Sequence, residues 1–111
     1  MPPIPTIALN DGQRFRLLKL DDIIYLGAEG SYTNVHLDGG EKIVISRNLK
    51  SISANLPEDL FLRIHHSCVV NLAHSVSFQN GNTSRLEMSN GQKLSVSRTR
   101  KHRLMERFVQ I

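Results

Sequence analysis

Glycines placed at short intervals constrain this chain more than any other feature. Residues 21–49, DDIIYLGAEGSYTNVHLDGGEKIVISRNL, alternate apolar and polar positions in short runs, broken by Gly27, Gly30 and the Gly39–Gly40 pair. Period-2 alternation puts one apolar face on an extended strand, and glycine supplies the backbone angles of a tight turn, so each break reads as hairpin punctuation. The same rhythm returns in residues 75–97, SVSFQNGNTSRLEMSNGQKLSVS, around the steps Asn80–Gly81 and Asn90–Gly91. Both halves of the chain should therefore be built of antiparallel strands.

Two stretches break this pattern. In RNLKSISANLPEDL, Leu49, Ile52 and Leu56 recur at helical spacing, which predicts a short mid-chain helix that ends before Pro57. In SRTRKHRLMERFVQI, Leu104, Phe108 and Ile111 do the same, with Ser97 placed as the capping residue of a C-terminal helix. A length of 111 residues suits one domain. We expect residues 1–12, which open on the proline-rich MPPIP, to be a flexible segment or linker stub, and residues 13–111 to form the single domain. The start MPPIPTIALND has no basic or long apolar segment of the leader type, and no apolar run is long enough to span a bilayer. A lone Cys68 inside an apolar run reads as a small buried hydrophobe, so a cytoplasmic setting is expected.

Charge is distributed unevenly. Residues 1–60 carry six Lys/Arg against eight Asp/Glu, a balance of −2, whereas residues 61–111 carry eight against two, a balance of +6. A concentrated positive field points to a polyanionic partner, nucleic acid first and an acidic protein as the alternative, in which case the chain is a non-enzymatic interaction module. The expected helix starts sharpen this. Arg98, Arg100 and Lys101 lie in the first turn of the second helix, and Arg47 and Lys50 flank Asn48 at the start of the first. Cations beside the free N–H groups of a helix start are unfavourable unless an anion such as phosphate joins them.

The segment LRIHHSCVVN, residues 62–71, raises a separate question. Consecutive side chains on a strand point to opposite faces, so His65 and His66 should have different jobs: His65 at the edge of the core, His66 projecting outwards before Ser67. The ligand types His36, His65, His66, Cys68, His74 and His102 show no CxxC or HxxxH pairing, so no metal site is expected. A thiol buried in an apolar run is a poor nucleophile, and neither paired carboxylates nor a glycine-rich phosphate loop is present. Neither an enzyme nor a cofactor is expected.

Four segments together resemble one known family, from about Leu20 to Phe108. These are DDIIYLGAEGSYTNVHL, SRNLKSISANLP, FLRIHHSCVVNL and GQKLSVSRTRKHRL, and in this order they resemble the LytTR-type DNA-binding domain of bacterial transcription regulators. The resemblance implies a mainly β fold, an elongated stack of antiparallel sheets with one short mid-chain helix and a C-terminal helix. It implies sequence-specific binding of double-stranded DNA by loops that enter successive major grooves, typically at paired direct-repeat sites. Carried over by position, Ser31, His66 and Arg98 would meet base edges, while Tyr32, Asn48, Ser67, Thr99, Arg100 and Lys101 would meet the phosphate backbone. Where the family usually has arginine this chain has His66, and where asparagine is common it has Ser31. Such domains act as response-regulator outputs in two-component systems, behind a receiver or other sensory domain, so an upstream partner domain is implied as well.

Overall fold

The computed structural model describes residues 6–111, and within them strands dominate. In chain order the elements are β1 (Thr6–Asn10), β2 (Phe15–Lys19), β3 (Ile23–Glu29), β4 (Tyr32–Leu37), β5 (Lys42–Ile45), α1 (Leu49–Ser53), β6 (Phe61–His65), β7 (Cys68–Asn71), β8 (Ser75–Gln79), β9 (Arg85–Met88), β10 (Lys93–Ser95) and α2 (Lys101–Met105). All pairings are antiparallel and form three sheets: β1–β2, a central sheet in the order β5-β4-β3-β7-β6, and β10-β9-β8. The molecule is a slab of 43 × 39 × 24 Å.

The stacking follows from which side chains need burial. Leu9 and Leu18 of the first hairpin and Leu49, Ile52 and Leu56 of the α1 region cover one face of the central sheet, against Leu26, Val35, Ile43, Ile45 and Val69. On the other face Ile24, Ile64, Cys68 and Val70 meet Leu86 and Met88 of the third sheet, together with Val96 and Leu104. Strand β7 is buried along its whole length because both of its faces are covered, which is why its sequence reads as an unbroken apolar run. Alternation sends β3 side chains to both cores, and a register shift between Ile23 and Tyr25 interrupts it, so that Ile24 and Tyr25, neighbours in sequence, share one core while Ile23 and Leu26 belong to the other. Asn71 is fully buried where β7 ends. Its Nδ2 donates to the carbonyls of Ile23 (2.9 Å) and Leu20 (3.2 Å), and its Oδ1 accepts from the N–H of Ala73 (3.0 Å), locking β7 to the entry of β3.

Several details depart from the sequence reading. Of the segment 1–12 expected to be loose, residues 1–5 lie outside the described residues, whereas Thr6–Asn10 form β1, because Leu9 is buried by pairing with β2. The step Asn80–Gly81 is not a two-residue turn. Gln79 pairs with Arg85, which leaves a five-residue loop, and Gly81 is absent from the positive-φ glycines, whereas Gly91 has φ +87°. Ser97 does not cap α2 with its side chain. Its backbone carbonyl instead accepts from the N–H groups of Arg100 and Lys101 (both 3.1 Å), so a turn precedes a helix that starts only at Lys101. That helix ends at Met105, leaving Phe108 40% exposed and Ile111 fully exposed, so the expected apolar stripe reaches the core only through Leu104.

Candidate nucleic-acid interface

Strand register brings the four singled-out segments to one end of the central sheet. The β3–β4 turn, with Gly30 at φ +60° in its first central position, holds Ser31 and leads into Tyr32, both exposed. Glycine fits here because a two-residue turn that matches the twist of its strands needs positive φ at that position. Next to it lies the β6–β7 turn, since Gly27 pairs with Cys68 and the N–H of Ala28 donates to the carbonyl of Ser67 (2.8 Å). On the other side Thr33 is fully buried and its hydroxyl donates to the carbonyl of Arg47 (2.7 Å), which ties β4 to the entry of α1. The N–H of Ser97 donates to the carbonyl of Ile64 (2.8 Å) and so brings Arg98 and Thr99, both exposed, beside the same end.

Each segment has its own internal support. Asn48 caps α1, its side chain accepting from the N–H of Ser51 at 2.8 Å, and the guanidinium of Arg47 reaches the Ser51 hydroxyl. Arg63 braces the β6–β7 turn, its guanidinium donating to the carbonyls of His65 (3.3 Å) and His66. Lys101, half-buried at the start of α2, donates to the side chain of Asn80 in the β8–β9 loop. Arg100 is also half-buried and close enough to His65 to act on its charge.

The two histidines do not point to opposite faces. Strand β6 stops at His65 and a turn follows, so the rings come together with centroids 4.2 Å apart and planes tilted by 37°. His66 is exposed as expected, but His65 is only half-buried and packs into no core. Its Nδ1 instead faces the backbone N–H of Ser67 (3.2 Å) and the Ser67 hydroxyl (2.9 Å). A backbone N–H can only donate, so Nδ1 accepts and the ring proton of the neutral imidazole sits on Nε2. Burial first, then the neighbouring His66 and Arg100, hold the His65 pKa below its ordinary range, in keeping with that neutral form.

Elsewhere the chemistry is structural. Cys68 is buried and burial pushes its thiol up to about 12, so it is no nucleophile at neutral pH. His36 stacks on Tyr25 at 4.2 Å and 14°, and burial lowers its pKa. Among the described residues no group of His, Cys, Asp or Glu is arranged to hold a metal ion, and no helix is long and apolar enough to cross a membrane. The sequence reading missed Thr33, Arg63 and Asn80, which position the turns. Thr33 and Asn80 carry no local signal, because their partners Arg47 and Lys101 are brought close by folding alone, whereas Arg63 bonds carbonyls only two and three residues on and shows its role once β6 is known to end in a turn at His65.

Comparison with known proteins agrees with this architecture. The family model of the LytTr DNA-binding domain matches residues 13–109, and the chain belongs to that family. The sensory transduction protein LytT of Bacillus subtilis is 35% identical over 95 residues, covering 84% of this chain and 39% of that protein. The CO-responsive transcriptional regulator RcoM of Rhodospirillum rubrum is 33% identical over 73 residues, 66% of this chain and 30% of that protein. The chain thus spans well under half the length of these relatives. A solved LytTr DNA-binding domain attributed to a methyl-accepting/DNA response regulator of Bacillus cereus shares the fold. Its TM-score is 0.77 at 23% identity, covering 92% of this chain and 94% of that one.

Proposed function

We propose that this domain binds double-stranded DNA sequence-specifically, as the output module of a bacterial transcription regulator in the cytoplasm. The observation that supports it most is the convergence of the β3–β4 turn, the α1 entry, the β6–β7 turn and the α2 entry on one end of a sheet, tied by hydrogen bonds of 2.7–2.8 Å. Loops held this way can enter neighbouring stretches of major groove without a recognition helix. In this reading Ser31, His66 and Arg98 meet base edges, and Tyr32, Asn48, Ser67, Thr99, Arg100 and Lys101 meet phosphates. The exposed guanidinium of Arg98 suits bidentate readout of guanine, while His66 offers a single directed hydrogen bond. Paired direct-repeat sites and an upstream receiver or sensory domain complete the proposal, in which the domain performs no catalysis.

Selection of binding sites from random duplex DNA tests it. A recovered motif, bound with an affinity that falls steeply with salt, is the expected outcome. Equal binding to all duplexes, or retention indifferent to salt, overturns it.

A further inference from the structure

A groove of about 350 Å³ runs along β6, the edge strand of the central sheet, between α1 on one side and α2 on the other. Lys50, Arg63, Arg100, Arg103 and Arg107 line it, and Glu58 is its one acidic residue. Those five cations against one carboxylate give +4, the net charge of the entire chain. The other nine Lys/Arg are matched by the other nine Asp/Glu, so the whole positive excess of the molecule gathers at this groove. Among the described residues none of the five cations forms an ion pair with a carboxylate. Arg63 and Arg107 are instead fixed by backbone carbonyls, Arg107 donating to that of Glu58 at 2.9 Å. Arg107, anchored through one N–H, keeps the rest of its fork for another acceptor, and Arg63, which uses two nitrogens, keeps its remaining Nη donors.

We propose that the groove is a second track for DNA backbone phosphates, with Arg103 and Arg107 as phosphate ligands beyond the turns at the end of the sheet. The inference rests on the DNA-binding reading above. It is continuous with that interface along both of its flanks: Arg100 belongs to the α2 entry and Arg63 braces the His65–His66 turn, while Lys50 lies in the first turn of α1. An edge strand can carry cations merely to repel other strands. That role requires neither a groove nor the gathering of cations from α1, β6 and the α2 region around it. Strand β6 spans roughly 16 Å at about 3.3 Å per residue, enough for more than one phosphate of a strand that rises about 3.4 Å per charge.

The test compares the full chain with Arg103→Gln and with Arg103→Gln/Arg107→Gln, on both the selected operator and a random duplex. Arg103 is exposed and makes no ion pair, so its substitution leaves the fold intact. Each lost phosphate contact should lower the slope of log affinity against log salt by about 0.9. The double variant should therefore lose about 1.8 in slope and, with affinities converging near 1 M salt, bind roughly 60-fold more weakly at 0.1 M salt on both duplexes, with the selected motif unchanged. Arg103→Lys/Arg107→Lys, which keeps the charges, should restore most of the slope. An unchanged slope in the double variant, with the wild type still binding its motif, overturns the groove proposal and leaves the DNA-binding reading standing. So does capture of a polyglutamate peptide by the wild type that is lost in the double variant while DNA binding is unaffected. Failure of the wild type to bind any duplex overturns the DNA-binding reading itself.

Discussion

The entries to α1 and α2 have similar charge and different construction. Each helix is five residues long, little more than one turn, and each carries cations at its start. At α1 an extended Asn48 closes the first turn with its own side chain, so one of the free N–H groups is already taken. At α2 the residue before the helix, Arg100, is itself nearly helical at φ −105° and ψ −9°, and no side chain caps it. A turn closed by the carbonyl of Ser97 sets the direction, and it carries Arg98 and Thr99 into solvent ahead of the helix. The side-chain cap ties down the α1 entry and leaves its cations at the flanks, while the turn at α2 leaves the guanidinium of Arg98 exposed to solvent. Helices this short add little dipole, so in the proposed function a phosphate at either entry would be attracted mainly by the side chains.

Four experiments probe that contrast, beginning with the largest effect. Arg98→Ala should weaken binding to the selected operator by roughly 1–3 kcal/mol and relax preference at one base position. Lys101→Ala, one turn later, should weaken all duplexes alike and reduce the salt slope by about 0.9. Sequence profiles that matched for the two variants would erase the distinction between a base-reading turn and a phosphate-binding helix start.

Asn48→Ala should cost about 1 kcal/mol of stability by urea denaturation, with Asn48→Ser keeping most of it. An unaltered unfolding midpoint would mean that the Ser51 N–H bond contributes nothing and that the α1 entry is no more rigid than that of α2.

Acidification should destabilise the fold at two imidazoles, His65 beside the α2 entry and His36 on β4. His65 faces Arg100, and His36 faces Lys42; both imidazoles are held below the ordinary value of 6.5 in the folded chain, by burial first. The unfolded chain therefore takes up protons more readily, so stability is full above about 6.5 and is lost as pH falls through the folded pKa values. His65→Gln and His36→Gln should each flatten the loss between pH 7 and 5. A slope that survives both substitutions would place its origin elsewhere.

The smallest effect belongs to Ser97→Ala. The Ser97 Oγ is buried and has no hydrogen-bond partner among the described residues, so its removal should leave stability within about 0.5 kcal/mol of wild type or raise it slightly. A loss above about 1 kcal/mol would show that the hydroxyl does cap α2, and the contrast with Asn48 would fail.

The sequence by itself determined whatever depends on the local backbone. Period-2 runs placed the strands, Gly30 placed a turn, and Leu49, Ile52 and Asn48 placed a capped helix, because each pattern is satisfied within a few consecutive residues. The family segments marked where to look for the interface. Only the tertiary structure decided that the four segments share one end of a sheet, since that depends on strand order and on bonds such as Ala28–Ser67 and Ser97–Ile64 between residues distant in the chain. It also brought His65 and His66 together where alternation along a strand would have separated them, because the strand stops between them. Likewise the +6 of the C-terminal half was readable as a sum, but a sum has no position. Lys50, Arg63, Arg100, Arg103 and Arg107 become a groove only when α1 and α2 are packed on either side of β6.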